Sequence, residues 1–342
     1  MRVLTARALN RAVLARQRLL ERAREPLPRV LERMGGLQAQ YAPSMYIGLW
    51  SRVEGFQRDA LTAALERRSV VQGTLLRSTI HLVSRRDWWP FAVAVRSARR
   101  SWWLRVARTG RTEADMVEAA VALRARLRDG PLPRKAIEEL VGKDAFGGIG
   151  LWIDLVRAPP SGTWERRRAD LFAEAESWLG SCEVSEQEGL ALLARRYLGA
   201  FGPTSAGQFA DWAGLRITVA RPVLEGVASR RFLDEAGAEL LDLARAPLPD
   251  ADTPAPVRFL PTWDATLLGH ARPAGILPEE HRPRIFSTKM PQSLPTYLVD
   301  GRVAGTWRHE DGRIVLDPFD RLDAADRRAL EEEGARLAEL WS

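Results

Sequence analysis

The stretch "DALTAALERRSVVQGTLLRSTIHLV", residues 59 to 83, changes its period midway. Asp59 to Arg67 has the apolar spacing of a short helix. From Val70 to Val83 the residues alternate, like two strands joined by a turn. Upstream, the spacing predicts helices over residues 5 to 22 and 27 to 40, with Gly35 and Gly36 inside the second. A third, "SMYIGLWSRVEGF", is stopped by Gly55. Helices followed by a hairpin are the order of a winged helix.

The order recurs downstream. "TEADMVEAAVALRARLRDG" and "GPLPRKAIEEL" read as helices, the latter with proline in its first turn. "AFGGIGLWIDLVRAPP" follows, and "GTWERRRADLF" is expected to be a strand. A third round opens at Ser185, whose spacing to Glu188 is a capping box. "GPTSAGQFADWAG" resembles a helix-turn-helix connection capped by Thr204 or Ser205, leading into the helix "ITVARPVLEGV" and the strand pair "RRFLDEAGAELLDL". A proline-rich linker spans 246 to 259. Beyond it, Asp300-Gly301 and Asp311-Gly312 mark two hairpins, and a charged helix with a solvated polar face closes the chain. The expected units are residues 1–110, 111–184, 185–250 and a β-rich region over 251–342.

Composition narrows the function classes. The 342 residues carry a net charge of +7, and only Lys135, Lys143 and Lys289 are lysines. Arginine suits phosphate because its planar fork donates two hydrogen bonds, so the excess favours a polyanionic partner, although base composition also converts lysine to arginine. No apolar run approaches the length of a membrane span. The first residues read as a domain helix rather than a secretory signal, and the expected location is cytoplasmic and nucleoid-associated. Cys182 is the only cysteine, and His81, His270, His281 and His309 have no metal-ligand spacing, so neither a metal nor a cofactor is expected. "FGGIG" lacks the Lys-Ser/Thr continuation of a phosphate loop.

Inside "MGGLQAQYAPSMYIGLW", Gln38 and Gln40 interrupt an apolar run. Buried amides cost free energy unless they are hydrogen-bonded. On a helix, residues two apart point about 200° apart, whereas on an extended chain they share a face. If both amides serve one site, the helix must end or unwind between Gly36 and Tyr41. The plain alternative is one glutamine capping a helix end and one in solvent.

"GLQAQ", "RSTIHLVSRRDWWPF", "FLPTWDATLLGHARPAGILP" and "LPTYLVDGRVAGTWR", in that order, resemble the bacterial winged-helix DNA glycosylase family of AlkZ and YcaQ. The resemblance covers nearly the whole chain. It implies a mainly α fold with β wings: three tandem winged-helix motifs plus a β-rich C-terminal region, C-shaped around a basic DNA channel. It also implies hydrolysis of the N-glycosidic bond of alkylated purines, with interstrand crosslinks as substrates in AlkZ-like members. The family's catalytic signature, Gln, an apolar residue, then Gln or Asp, falls on Gln38, Ala39 and Gln40, and the terminal Gln places the chain in the AlkZ-like subgroup.

Neutral amides suit such a substrate. Alkylation at N7 or N3 leaves the purine cationic and already a good leaving group, so no general acid is required. What remains is to position a water beneath the anomeric carbon, which a glutamine carbonyl does by accepting its hydrogen bond. Gln38 is assigned the water and Gln40 is its partner.

Arg77, Thr79 and His81 are expected on one face of the first wing, near the lesion or a phosphate, with a hydrogen-bonded wing histidine as the alternative. Arg99, Arg100, Arg105 and Arg108 are candidates for phosphate contact, and Arg302 and Arg308 for a hairpin entering a groove. Asp264 is an accessory candidate for water activation, against a cap or a buried ion pair. The tryptophans of "DWWPF" and "RRSWWLR" fit either base stacking or the core. A bifunctional glycosylase would need an amine nucleophile, and the scarcity of lysine points to water. The expected protein is a monomeric, monofunctional glycosylase acting on double-stranded DNA. The competing class is a non-catalytic winged-helix DNA-binding protein or transcriptional regulator.

Overall fold

Local sequence sets where most elements begin and end. The computed structural model describes residues 1–286 and 293–342. Thr112 with Asp115, Ser185 with Glu188 and Ser205 with Gln208 form reciprocal capping boxes at the starts of helices Glu113–Leu127, Glu186–Phe201 and Ala206–Ala213. Both Asp-Gly pairs are hairpin turns, with φ of 43° and 76° at Asp300 and Gly301 and 49° and 75° at Asp311 and Gly312.

The chain is mixed helix and sheet. Helices Ala6–Arg16, Leu27–Met34, Ala42–Trp50 and Arg58–Glu66 precede the hairpin of Val70–Thr74 and Ile80–Ser84. This hairpin does not stand alone. A six-stranded sheet runs Leu37–Gln38, Ile80–Ser84, Val70–Thr74, Leu155–Arg157, Leu171–Glu174, Leu132–Pro133. Gln72 and Gly73 pair with Arg157 and Val156, so one sheet crosses the expected boundary at residues 110 and 111. "GTWERRRADLF" is mostly a loop rather than a strand, with only its end inside Leu171–Glu174. Ser161 holds that loop shut: its hydroxyl accepts from the N–H groups of Asp170 and Leu171 and donates to the carbonyl of Arg168.

The 22-residue helix Arg85–Val106 carries the hairpin onto helix Glu186–Phe201. Their crossing is close because a Cβ at Gly189 would lie 2.6 Å from the Pro90 carbonyl oxygen. Helices Ala206–Ala213 and Ile217–Val227 follow, then strands Arg230–Asp234 and Glu239–Asp242, which Val3–Leu4 joins in parallel.

The C-terminal sheet runs Arg258–Leu260, Thr296–Val299, Arg302–Glu310, Arg313–Pro318, and helix Ala324–Ala338 packs on it. That helix is not solvated throughout: Glu333 is buried and paired with Arg22 and Arg336. The arginines of the first helix are structural as well. Arg7, Arg11 and Arg16 donate to the carbonyls of Ala251, Thr253 and Pro247 and so strap the proline-rich linker down. Arg16 also pairs, fully buried, with Asp242. Much of the positive charge is therefore spent inside the fold.

Candidate active site and basic cleft

Helix Leu27–Met34 ends at Gly35, which adopts the left-handed conformation (φ 74°), and Gly36 follows at φ 80°. A Cβ at Gly36 would sit 2.9 Å from the Val83 side chain, so the double glycine lets the chain turn tightly onto the hairpin's edge. The next two residues form a strand, with Leu37 opposite Leu82 and Gln38 opposite His81. Ala39 then donates its N–H to the Ile80 carbonyl. The segment around the glutamines is thus extended, as two amides serving one site require, and no helix runs through it.

Extension decides where the side chains go. Leu37 and Ala39 are buried in the core cluster that also holds Met45, Val70 and Leu82. Gln38 and Gln40, by the period of two, lie on the opposite face. The small middle residue fits because it is an anchor, 2% exposed. Gln40 accepts the Ile80 N–H at 2.7 Å, and Gln38 accepts from an Arg77 Nη at 3.3 Å. Both partners are obligate donors, which orients each amide: oxygens toward the hairpin, NH2 groups away from those contacts. Neither glutamine caps a helix.

Arg77 and Ser78 at the hairpin tip both have positive φ, 50° and 60°. Arg77 also donates to the Trp212 carbonyl, and its Cα lies 3.5 Å from where a Cβ of Gly214 would be, so the tip is clamped against helix Ala206–Ala213. Burial pulls the Arg77 pKa down. His81 is buried, and its Nδ1 lies 3.0 Å from the Thr79 carbonyl. A carbonyl only accepts, so Nδ1 carries the proton. Burial first, then the nearby Arg77, pushes its pKa down to about 3, leaving the imidazole neutral at ordinary pH. Thr79 donates its hydroxyl to Leu76.

The remaining expected residues separate by surroundings. Arg99 donates to the Thr74 carbonyl and the Ser78 hydroxyl, at 3.1 and 3.3 Å. Arg100 donates to the Leu151 carbonyl and lies over Trp152. Arg105 lines a cleft with Arg77, Trp102 and Val219. Arg302 and Arg308 are exposed on strand Arg302–Glu310, Arg308 paired to Glu310 at 2.9 Å. Asp264 is far more enclosed: both carboxylate oxygens accept from the buried Arg52 at 2.9 Å, and one also caps the Thr266 N–H. This is the ion-pair and cap alternative, and it leaves the carboxylate little capacity to handle a water. Trp88 and Trp103 belong to the core, whereas Trp102 is exposed. Lys289 lies outside the described residues, among which no cluster of three potential metal ligands occurs and no helix is long and apolar enough to cross a membrane.

Ile80, the residue whose N–H Gln40 holds, lines a cleft of about 630 Å³ with Thr74, Ser78 and Gly147. Its walls carry Arg96, Arg99, Arg134, Lys135, Arg157 and Arg168. Arg157, Arg134, Lys135 and the loop arginines Arg166 to Arg168 went unassigned in the sequence reading. The triple-arginine run was the available signal, obscured by its assignment to a strand. Arg167 reaches the Tyr41 hydroxyl at 3.3 Å, which places this loop directly beside the glutamine motif.

A sequence profile of AlkZ-like DNA glycosylases matches residues 31–340. The chain belongs to the AlkZ-like DNA glycosylase family. The solved structure of the DNA glycosylase AlkZ from Streptomyces sahachiroi superposes with a TM-score of 0.81 at 20% identity, over 99% of this chain and 97% of that one. At that identity the likeness speaks for the fold. An interstrand DNA cross-link repair glycosylase of Streptomyces sahachiroi is 29% identical over 164 residues. That match spans 44% of this chain and 42% of that protein's length.

Proposed function

We propose that the chain is a monofunctional DNA glycosylase that hydrolyses the N-glycosidic bond of cationic N7- or N3-alkylpurines in double-stranded DNA. Bulky genotoxin adducts and interstrand crosslinks fall within the proposed range. The reading is supported by family membership and by the name of the cross-link repair relative. The observation that carries it is the placement of Gln38 and Gln40 on one face of an extended segment, with Gln40 bonded to Ile80, which lines a basic cleft.

In the proposed reaction a water oxygen bonds to C1′ as the C1′–N9 bond breaks. The bonding pair moves onto the purine and neutralises its positive charge, and the water's spare proton passes to solvent. Gln38 Oε1 keeps one lone pair beyond the Arg77 contact and accepts a hydrogen bond from the water. The oxygen of Gln40 is taken by Ile80, so this residue acts through its NH2 as a donor, holding the water or a sugar-phosphate oxygen. That refines the division between the two amides. His81, held neutral, is not a cation for phosphate, so the charge at the hairpin tip comes from Arg77 and Arg99. In this proposal the three helix-and-strand units act as winged helices around a C-shaped channel, with the protein binding DNA as a monomer.

The test is a duplex containing N7-methylguanine, with alkali cleavage reporting abasic sites. The wild type should release the base. Gln38→Ala should lower kcat about a hundredfold, the scale of lost positioning, with DNA affinity nearly unchanged. DNA binding without base release from simple or bulky N7 adducts would instead favour the regulator reading.

A further inference from the structure

We propose that Arg99 and Arg157, converging on Thr74, hold one backbone phosphate of the DNA in the basic cleft, beside the Gln40 end of the motif. The proposal rests on the glycosylase reading only for its choice of DNA as the polyanion.

Arg157 ends strand Leu155–Arg157, and its guanidinium lies over Phe172. One Nη donates to the Thr74 hydroxyl at 3.2 Å, while its buried Nε has no partner. Arg99 comes from helix Arg85–Val106 and donates to the carbonyl of the same Thr74 and to Ser78. Among the described residues, neither arginine has a carboxylate within ion-pair distance. The acids that share the cleft are engaged elsewhere: Asp154 with Arg96, Glu138 with Arg134, Asp170 with Ser161 and Arg168.

Two half-buried guanidiniums without a carboxylate in contact are costly. Burial lowers both to about pKa 10, against a weaker opposing pull from Asp154 on Arg99, so they remain cationic at neutral pH with no carboxylate in contact. Their partners in the protein are one hydroxyl and one carbonyl of Thr74 and one hydroxyl of Ser78, which leaves most of their N–H groups unspent. Arg16 and Arg52, by contrast, are buried against the carboxylates of Asp242 and Asp264. Arg99 and Arg157 both lie in the cleft that Ile80 lines. A phosphate diester supplies the missing charge and two non-bridging oxygens as acceptors for the planar forks. Arg134, Lys135 and Arg168 on the same walls extend the positive surface along a strand rather than closing it around a small anion.

The test is a scan of duplexes, each neutralised at one phosphate by a methylphosphonate, read as dissociation constants for undamaged DNA. With wild type, one position should cost about ten- to hundredfold. Arg157→Met should lose the same factor on ordinary DNA, lower the salt slope by about 0.9, and be indifferent to that methylphosphonate. Its melting temperature should hold or rise, because an uncompensated charge has been replaced by a packed side chain. Arg99→Met, nearer the rim, should couple to the same position and supplies the test if Arg157→Met does not fold. Unchanged affinity and slope in a folded variant, or coupling spread evenly over all positions, would overturn the site. Coupling with no base release from any adduct would keep the phosphate site and sink the glycosylase reading.

Discussion

Acid should weaken this fold through a buried imidazole beside the glutamine motif. In the unfolded chain His81 titrates near its ordinary value of 6.5, whereas in the fold burial and Arg77 push it down to about 3. Above pH 6.5 the side chain is neutral in both states and costs nothing. As the pH falls below 6.5 the unfolded chain gains a proton that the native state refuses, so stability drains away until the folded pKa is reached. At about pH 4.5 this one residue lowers the stability of the native state by about 3 kcal/mol, a sizeable part of a typical folding free energy. His270, buried and likewise pushed well down, adds in the same direction. Carboxylates titrate over part of this range too, so the assay is a difference. His81→Asn keeps a donor near the Nδ1 position for the Thr79 carbonyl but cannot titrate. Urea unfolding followed by tryptophan fluorescence, at about pH 7.5 and about pH 4.5, should show wild type losing about 3 kcal/mol more than the variant. An equal loss in both would mean that His81 is protonated in the native state, and with it the neutral reading of the hairpin would fail.

Other expectations follow from single contacts. Asp264→Ala strands the buried Arg52 and should destabilise the protein by about 3–5 kcal/mol, while base release per folded molecule stays near wild type; selective loss of kcat would restore the accessory role. Gly36→Ala combines a positive φ with a 2.9 Å approach to Val83, and should cost at least about 1 kcal/mol and impair base release by shifting the motif strand; a full-activity, fully stable variant would show the turn to be dispensable. Borohydride should trap no covalent adduct with abasic DNA. Trapping abolished by Lys135→Ala, the described lysine that lines the basic cleft, would replace water with an amine nucleophile.

What the residues disclosed unaided was local. Asp-Gly pairs and capping boxes act over a few residues, where backbone sterics alone choose the conformation, whereas the helix expected through Gly35 and Gly36 stops at Met34. The placing of Gln38 and Gln40 belongs to the same class. A period of two against 3.6 showed that both amides face one side only on an extended chain, and the strand obeys it. The family resemblance added the chemistry, which spacing cannot supply. Charge was another matter. Arg11, Arg16 and Arg52 look in sequence like Arg99 and Arg157, yet the first three are neutralised across 200 residues or more and the last two are not. Such pairing is set by long-range packing, with no local periodicity to betray it. The same holds for the first hairpin, legible by itself but joined through Val70–Thr74 to Leu155–Arg157 in one sheet by the unpaired backbone groups at its edge. The sequence determined the turns and the capped helix starts, and it set extension as the condition for both amides to share a face. Only the tertiary structure decided which arginines remain free to meet a phosphate, because a charge is free or spent according to what folds against it.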